Sequence, residues 1–376
     1  MKQNIFNHIK NLRGWKTNRK IVVISVDDYG NIRIDSKEAR TQMDNEGLKI
    51  NSRFDAYDTL ETREDLEILF ETLSSVTDKN GNHAVFTPFA LPCNVNFEKM
   101  ASENYDQYHY ELLPDTYAKL SQQQPKAYEG AWQLWQEGID KKLMKPEFHG
   151  REHFNLKIVE EKLFKKDSEL VSALKQRSLT SISSSGYSSI GWTAAFSFWD
   201  PIKDTERFPA IIQTGLTAFE KVYGYQSTVF TPPAQQLPEF MESKLSSMGI
   251  LALDKPFYHT KHLGFGKYEK QFNTMGYNKK NDVVELVRNV VFEPTDNRGI
   301  NWVDYSFKQV EAAFFWKKPA IISTHRVNFC GHIDTNNRAV GIKAMKALLE
   351  KIVKKWPEVE FMTAAELSKL IAQKDV

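Results

Sequence analysis

The 376-residue chain has only two cysteines, Cys93 and Cys330, and no C-x-x-C spacing. That excludes a disulfide framework and a cysteine-ligated zinc or redox site, leaving one bridge or two free thiols. It also lacks a surplus of charge: 50 Lys and Arg stand against 48 Asp and Glu, a formal net charge of +2. The electrostatic footprint that makes nucleic acid or an anionic membrane the default partner is therefore missing. Long apolar runs are absent too, since Ile21-Val22-Val23-Ile24 and Ala320-Ile321-Ile322 fall far short of the ~20 residues of a membrane span. Residues 1–20 are basic but contain no apolar stretch of ~7–15 residues before a small-residue cleavage site, so the expectation is a cytoplasmic chain without a signal peptide. No internal repeat, low-complexity block or Pro/Gly/Ser linker marks a domain boundary. At about 150 residues per domain, this length fits two to three domains or one large α/β barrel with insertions.

What is present is an alternation of strands and helices. Residues 20–26 form a continuous β-branched run, too short for a helix and bounded by Asp27-Asp28-Tyr29-Gly30. Such a run reads as a strand buried on both faces, as in parallel sheets. Leu66, Leu69, Phe70 and Leu73 recur at helical spacing within residues 62–76. Further strands are expected at 83–87, 146–149, 227–231, 250–253, 283–292, 319–324 and 359–362. Helices are expected at 36–46, 115–124, 126–143, 155–164, 168–175, 208–223, 238–248, 305–316, 338–355 and 364–372. Residues 191–199 are aromatic and ambiguous. Repeated β–α units argue for parallel strands with crossover helices, in which ligands lie at the carboxyl ends of the strands.

Three of those strand ends carry unusual residues: Asp27-Asp28, His149-Gly-Arg-Glu-His153, and Thr324-His325-Arg326. Singly, each has a structural explanation: an Asp after a strand is commonly a turn former or helix cap, and a lone His is commonly a hydrogen-bonded structural residue. Jointly they offer one carboxylate and two imidazoles at i, i+4. That two-His, one-carboxylate set suits Zn²⁺ and leaves positions open for water and substrate. A second carboxylate beside the ligand can act as general base, and a remote His as the acid.

In this order, the strand followed by Asp-Asp-aromatic-Gly, then His-x-x-x-His, then a Pro-containing segment, then a hydrophobic strand ending in His, resembles the polysaccharide deacetylases, the NodB-like carbohydrate esterases of family 4. The resemblance implies a distorted (β/α)7 barrel as a single domain over residues 1–376. It also implies a metal-dependent hydrolase that removes N- or O-linked acetyl groups from an oligosaccharide or polysaccharide. Carried over by position, Asp27 is the catalytic base, Asp28, His149 and His153 hold the metal, and His325 is the catalytic acid. Thr231-Pro232-Pro233 stand for the groove wall, and a backbone N–H near Pro233 or Ala234 aids the oxyanion. The metal is expected to be Zn²⁺, with Co²⁺ or Ni²⁺ as substitutes.

Three departures stand out. Gly150 occupies the place where the family has Ser or Thr. Phe230 and Thr231 stand where the family has an Arg near the catalytic Asp, so Arg326 is the candidate to supply that charge. More than a hundred residues separate Asp28 from His149, so insertions are expected at about 92–143 and, strand-rich, at about 261–294. Trp302, with Asp296, lies where the family buttresses its acid His and is a further candidate for substrate contact. His259 and His262 form a rival pair without a carboxylate cluster. Trp132, Trp135, Trp192, Phe198 and Trp199 could stack on sugars, although core packing is the commoner fate of such residues. Two other readings compete: a glycoside hydrolase on a similar barrel, with two carboxylates flanking the scissile bond, and a non-catalytic glycan-binding relative.

Overall fold

In the computed structural model, which describes residues 2–48, 50, 52–179 and 191–373, the β-branched run becomes strand β1 (Ile21–Tyr29), buried along its whole length. It lies near the middle of a ten-stranded sheet. The other strands are β2 (Phe86–Ala90), β3 (Glu147–Phe148), β4 (Val229–Phe230), β5 (Ala252–Pro256), β6 (Gly276–Asn278), β7 (Val283–Arg288), β8 (Val290–Val291), β9 (Ala320–His325) and β10 (Glu360–Phe361). Hydrogen-bonded neighbours run β6-β7-β5-β4-β3-β2-β1-β9-β8, with β10 paired to the start of β1. The pairings are parallel except that of β6 with β7. The protein is thus a mixed α/β structure around a mostly parallel sheet, as the alternation predicts.

One continuous stretch serves both ends of that order. Residues 283–288 pair with β5, and residues 290–291 pair with β9. Asn289 stands between them: its backbone N–H donates to Ile321 O and its Oδ1 accepts from Ile321 N.

Side chains alternate across a strand, and here the alternation locates the site. Ile21 and Val23 of β1, Phe89, Val229, Ala252, Leu286 and Ile321 form one apolar cluster with Ala364, Leu367 and Ile371 of the last helix, Ala364–Ala372. Each fully buried aliphatic side chain there is worth ~1.5–3 kcal/mol. Two residues further along the same strands, the same face turns polar: Ser25 and Asp27, Thr231, Asp254, Arg288, Ser323 and His325. The opposite face, with Val22, Ile24 and Val26, packs on the helices Arg63–Ser74, Phe208–Tyr223 and Thr335–Lys355 through Leu69, Phe219 and Met345.

The structure departs from the expected elements where a local residue breaks the pattern. The second strand lies three residues later than predicted and runs through Pro88. Residues 115–143 hold three helices, Leu113–Gln123, Pro125–Tyr128 and Ala131–Asp140, instead of two. Pro125 opens one of them, and Gly130, at φ +78°, separates the next. Residues 191–199 form turns. Of the span 261–294, the hairpin Tyr258–Gly264 with Lys267–Phe272 stands off the main sheet, whereas residues 283–291 pair within it. No helix among the described residues is long and apolar enough to cross a membrane.

Candidate metal and hydrolytic site

Consecutive residues of a regular strand face opposite sides, yet Asp27 and Asp28 contribute to one site. The register with β2 explains how. Val26 pairs with Pro88 and Tyr29 with Ala90, so β1 carries one extra residue across that interval. Asp28 lies in it with a left-handed backbone, φ +75°. A bulge of this kind re-aims a side chain, and the left-handed conformation costs a non-glycine residue ~1–2 kcal/mol. Pro88, which has no N–H to give the ladder, stands where the register breaks.

The re-aimed Asp28 meets the two histidines. Its Oδ1 lies 3.5 Å from His149 Nε2 and 3.0 Å from His153 Nε2. One donor atom from each of the three residues falls within 4.8 Å of the others. Because Phe148 and Phe230 are in register, His149 comes to lie beside Thr231, whose carbonyl accepts a 2.7 Å hydrogen bond from His149 Nδ1. A carbonyl can only accept, so the proton is on Nδ1 and the Nε2 lone pair faces Asp28. This second hydrogen bond is what orients an imidazole for metal ligation. Nε2 is buried and has no hydrogen-bond partner, an orphan that a cation would satisfy. Burial lowers the pKa of His153 against the opposing charge of Asp28. Burial likewise tends to raise Asp28, but the adjacent histidines, His153 foremost, hold it well below the usual range. The residues thus fit a divalent cation: two imidazoles and one carboxylate.

Gly150, between the ligands, adopts φ +109°, and a Cβ there would lie 3.0 Å from Glu152 O and 3.3 Å from Pro233 Cγ. Ser or Thr does not fit this turn without rearrangement. Pro232 and Pro233 run past the site from Thr231, and Ala234 and Gln235 follow with left-handed backbones (φ 53° and 57°).

Asp27 is held by a residue the sequence reading did not single out. Arg288, at the end of β7, donates from Nη1 and Nη2 to its two carboxylate oxygens at 2.6 and 2.7 Å. The same guanidinium donates to Ser323 Oγ and Thr231 Oγ1, both at 3.2 Å, and its Nε lies 3.1 Å from Asp254 Oδ1. Burial favours a neutral Asp27, but the charge and hydrogen bonds of Arg288 outweigh it and keep the carboxyl below its ordinary value. Asp254, buried with a weaker share of Arg288, is raised. Arg326 does not supply this charge. It is fully buried, with Nε on Asp58 (2.9 Å) and Nη1 on Glu61 (2.9 Å) and Asn31 O (2.6 Å). It is therefore unavailable to a substrate as well.

His325 faces Asp27 across the β1–β9 pair, with which it is in register. Its Nε2 lies 3.8 Å from Asp27 Oδ2. Its Nδ1 bonds Glu293 Oε1 at 2.6 Å, and Glu293 is itself held by Arg53 and by Asn328 Nδ2 (2.8 Å). Burial alone would depress His325, but Glu293, then Asp27 and Asp28, bring its pKa up to about 9. The expected buttress, Asp296 with Trp302, is not used. Trp302 donates to Asp296 O and carries Arg298 over its ring. It lines a surface groove of about 460 Å³ with Tyr57 and Asp334.

Trp132, Trp135 and the rival histidines fall into ordinary structural roles. Trp135 is fully buried and donates to Tyr117 Oη, and Trp132 packs beside it. His262 is sandwiched between Phe198 and Tyr268, and His259 faces Asn273, so the rival pair converges on no carboxylate. Cys93 and Cys330 are buried free thiols.

No protein-family profile and no curated protein matches the sequence. Among solved structures, similarity is found to a protein from Parabacteroides distasonis assigned as a glycoside hydrolase/deacetylase. It is 10% identical, with a TM-score of 0.48 over 95% of this chain and 72% of that one. A protein from Mycobacterium smegmatis assigned as a polysaccharide deacetylase is 12% identical, with a TM-score of 0.45 over 97% and 94%. The 4-alpha-glucanotransferase of Thermococcus litoralis is 9% identical, with a TM-score of 0.45 over 93% and 40%. Likeness this distant leaves the site to stand on its own geometry.

Proposed function

We propose that the protein is a metal-dependent deacetylase of an N- or O-acetylated carbohydrate, acting at the carboxyl ends of a distorted (β/α)7-type barrel. The observation that carries the reading is the convergence of Asp28, His149 and His153 beside an Asp27–His325 pair 3.8 Å apart. The continuous stretch 283–291, whose two strands pair with β5 and β9, supports reading the sheet as a barrel, with the last helix at its foot. A divalent cation, Zn²⁺ by its donor set, would be held by Asp28, His149 and His153 and would supply Lewis-acid polarisation of the acetyl carbonyl and acidification of the attacking water.

The remaining steps belong to this chain. Asp27, kept ionised by Arg288, takes a proton from the attacking water, a contribution of ~10²–10⁴-fold. A backbone N–H next to the Pro232-Pro233 wall, that of Ala234, is assigned to the developing oxyanion. His325, kept protonated by Glu293, gives its proton to the departing amine or alkoxide as the C–N or C–O bond breaks and acetate is released. Thr231 fixes the tautomer of His149 and also accepts from Arg288, so one residue orients both the ligand set and the base.

The test separates metal from base. Asp28→Ala and His149→Ala are expected to purify without metal, and a variant retaining one equivalent by elemental analysis would remove that residue from the ligand set. Asp27→Asn is expected to keep the metal and lose acetate release. Unchanged turnover there would exclude Asp27 as the base.

A further inference from the structure

The rim beside the site carries more exposed aromatic surface than its packing needs. The hairpin Tyr258–Gly264 with Lys267–Phe272 rises directly from the carboxyl end of β5. It exposes Tyr258 (40%), Phe265 (53%), Tyr268 (51%) and Phe272 (61%). A second segment joins it: Phe265 N donates to Trp199 O at 2.7 Å, the two rings meet edge to face, and Trp199 is itself 42% exposed.

Both segments are rooted on the catalytic surroundings. Gln236, just past the Pro232-Pro233 wall, donates to Thr260 O of the hairpin. The segment leading to Trp199 stacks Trp192 on Phe154, the neighbour of His153, and its Ser197 O accepts from Asn155 Nδ2 at 2.8 Å. The arm is thus continuous with the site.

Its surface is aromatic and interleaved with polar groups. Tyr258 pairs with Phe272 and His262 with Tyr268, with Thr260 and Lys270 between them. Four residues at ~3.3 Å each set these two pairs about 13 Å apart, longer than a single pyranose ring. Tyr268 stacks on His262 (centroids 4.8 Å, 28°), which lies on Phe198 (4.7 Å). The outer ring is therefore held in place before anything binds, which reduces the ordering cost of binding. The charges on the arm are mixed, with Glu269 among Lys261, Lys267 and Lys270, and Lys261 is paired with Glu239. That pattern suits stacking on sugar faces better than attraction to an anionic bilayer.

Building on the proposed deacetylase reading, we infer that this arm is a binding platform for a glycan polymer. It extends the site outward so that the substrate is a long chain in preference to a single sugar or short oligomer. The arm grips the chain several residues from the acetyl group that reacts.

The test uses affinity electrophoresis of the full chain, with EDTA present, in gels containing glycol chitin, acetylated xylan or solubilised peptidoglycan. Binding is thereby read independently of turnover. The wild type is expected to be retarded by at least one polymer. Trp199→Ala/Tyr268→Ala is expected to weaken that binding about tenfold, and Tyr268→Phe to preserve it. With metal restored, the double variant is expected to lose acetate release from the retarding polymer but keep it on the matching di- and trisaccharides. Retardation that depends on the arm without acetate release from any substrate would uphold the platform and sink the deacetylase reading. The platform is overturned if no polymer retards the wild type, if the double variant is retarded equally, or if the arm binds phosphatidylglycerol vesicles in place of polymer.

Discussion

Replacing Arg288 by Met keeps a similar volume but deletes the positive charge that Asp27 and Asp254, both buried, share. Removing one partner of a buried ion pair typically costs 3–5 kcal/mol, because the remaining charge is left without compensation. With an unfolding entropy of ~2.1 cal/mol/K per residue, a chain of 376 residues loses about 1.3 °C per kcal/mol, so Tm should fall by about 4–6 °C at pH 7. The pH dependence is diagnostic. In the wild type, Asp27 has a lowered pKa, so its stabilisation is present above the unfolded value and lost as pH falls through the carboxylate range. In Arg288→Met the carboxyls are raised instead and gain protons readily, so the gap from the wild type should narrow on acidification. Asp254→Asn added to Arg288→Met should recover part of the loss, and Arg288→Lys should not restore the wild type, since an ammonium cannot span Asp27 in a bidentate fork. Acetate release should fall with the loss of an ionised base. Thermal melts from pH 4 to 8 decide the matter: a gap under 1 °C at neutral pH, or one that widens toward pH 4, refutes the reasoning.

Further consequences concern the neighbours. Glu293→Gln removes the carboxylate that brings His325 to about 9. The alkaline limb of the pH–rate profile should move down from near pH 9, and the stability His325 contributes below its unfolded pKa and loses as pH rises through about 9 should shrink, leaving the shares of Asp27 and Asp28. An unmoved limb would assign it to another group. Gly150→Ser should cost ~1–3 kcal/mol of stability and at least tenfold in metal affinity, read by melts and metal titration; full affinity would show that the turn relaxes. Asp28→Asn and Asp28→Ala should both lose the metal, with Ala about 1 kcal/mol less stable because Asn tolerates the left-handed backbone; equal Tm values would remove strain from the account of the bulge.

The sequence alone makes the ends of the site legible because chemistry and placement coincide there. Asp27 and Asp28 follow a strand that is apolar throughout, and His149, His153 and His325 stand just past or at the ends of strands. The bulge that makes two consecutive carboxylates converge was not legible, since it depends on the register with β2 around Pro88. Arg288 and Glu293 were missed because residues 261–294 read as an insertion. Yet a signal was there: a charge inside the apolar run Val283-Val284 to Val290-Val291-Phe292, and a carboxylate immediately after it, obey the same strand-end rule that marked Asp27. Arg326 was misplaced for the opposite reason. Its neighbour His325 faces the site, but Asp58 and Glu61, distant in sequence, draw the next side chain inward. Gly150 stands out in the sequence as a departure from the Ser or Thr of the resemblance, whereas φ +109° and the nearby Pro233 make it the residue that fits.

The central claim is that Asp28, His149 and His153 hold a divalent cation on which deacetylation depends. The most direct measurement is acetate release from a panel of acetylated oligosaccharides and polysaccharides by chelator-stripped protein, before and after one equivalent of Zn²⁺ or Co²⁺ is restored. The account predicts no release from the stripped protein, recovery on restoring metal, and no recovery with His149→Ala. Release that continues unchanged in the stripped protein would contradict it.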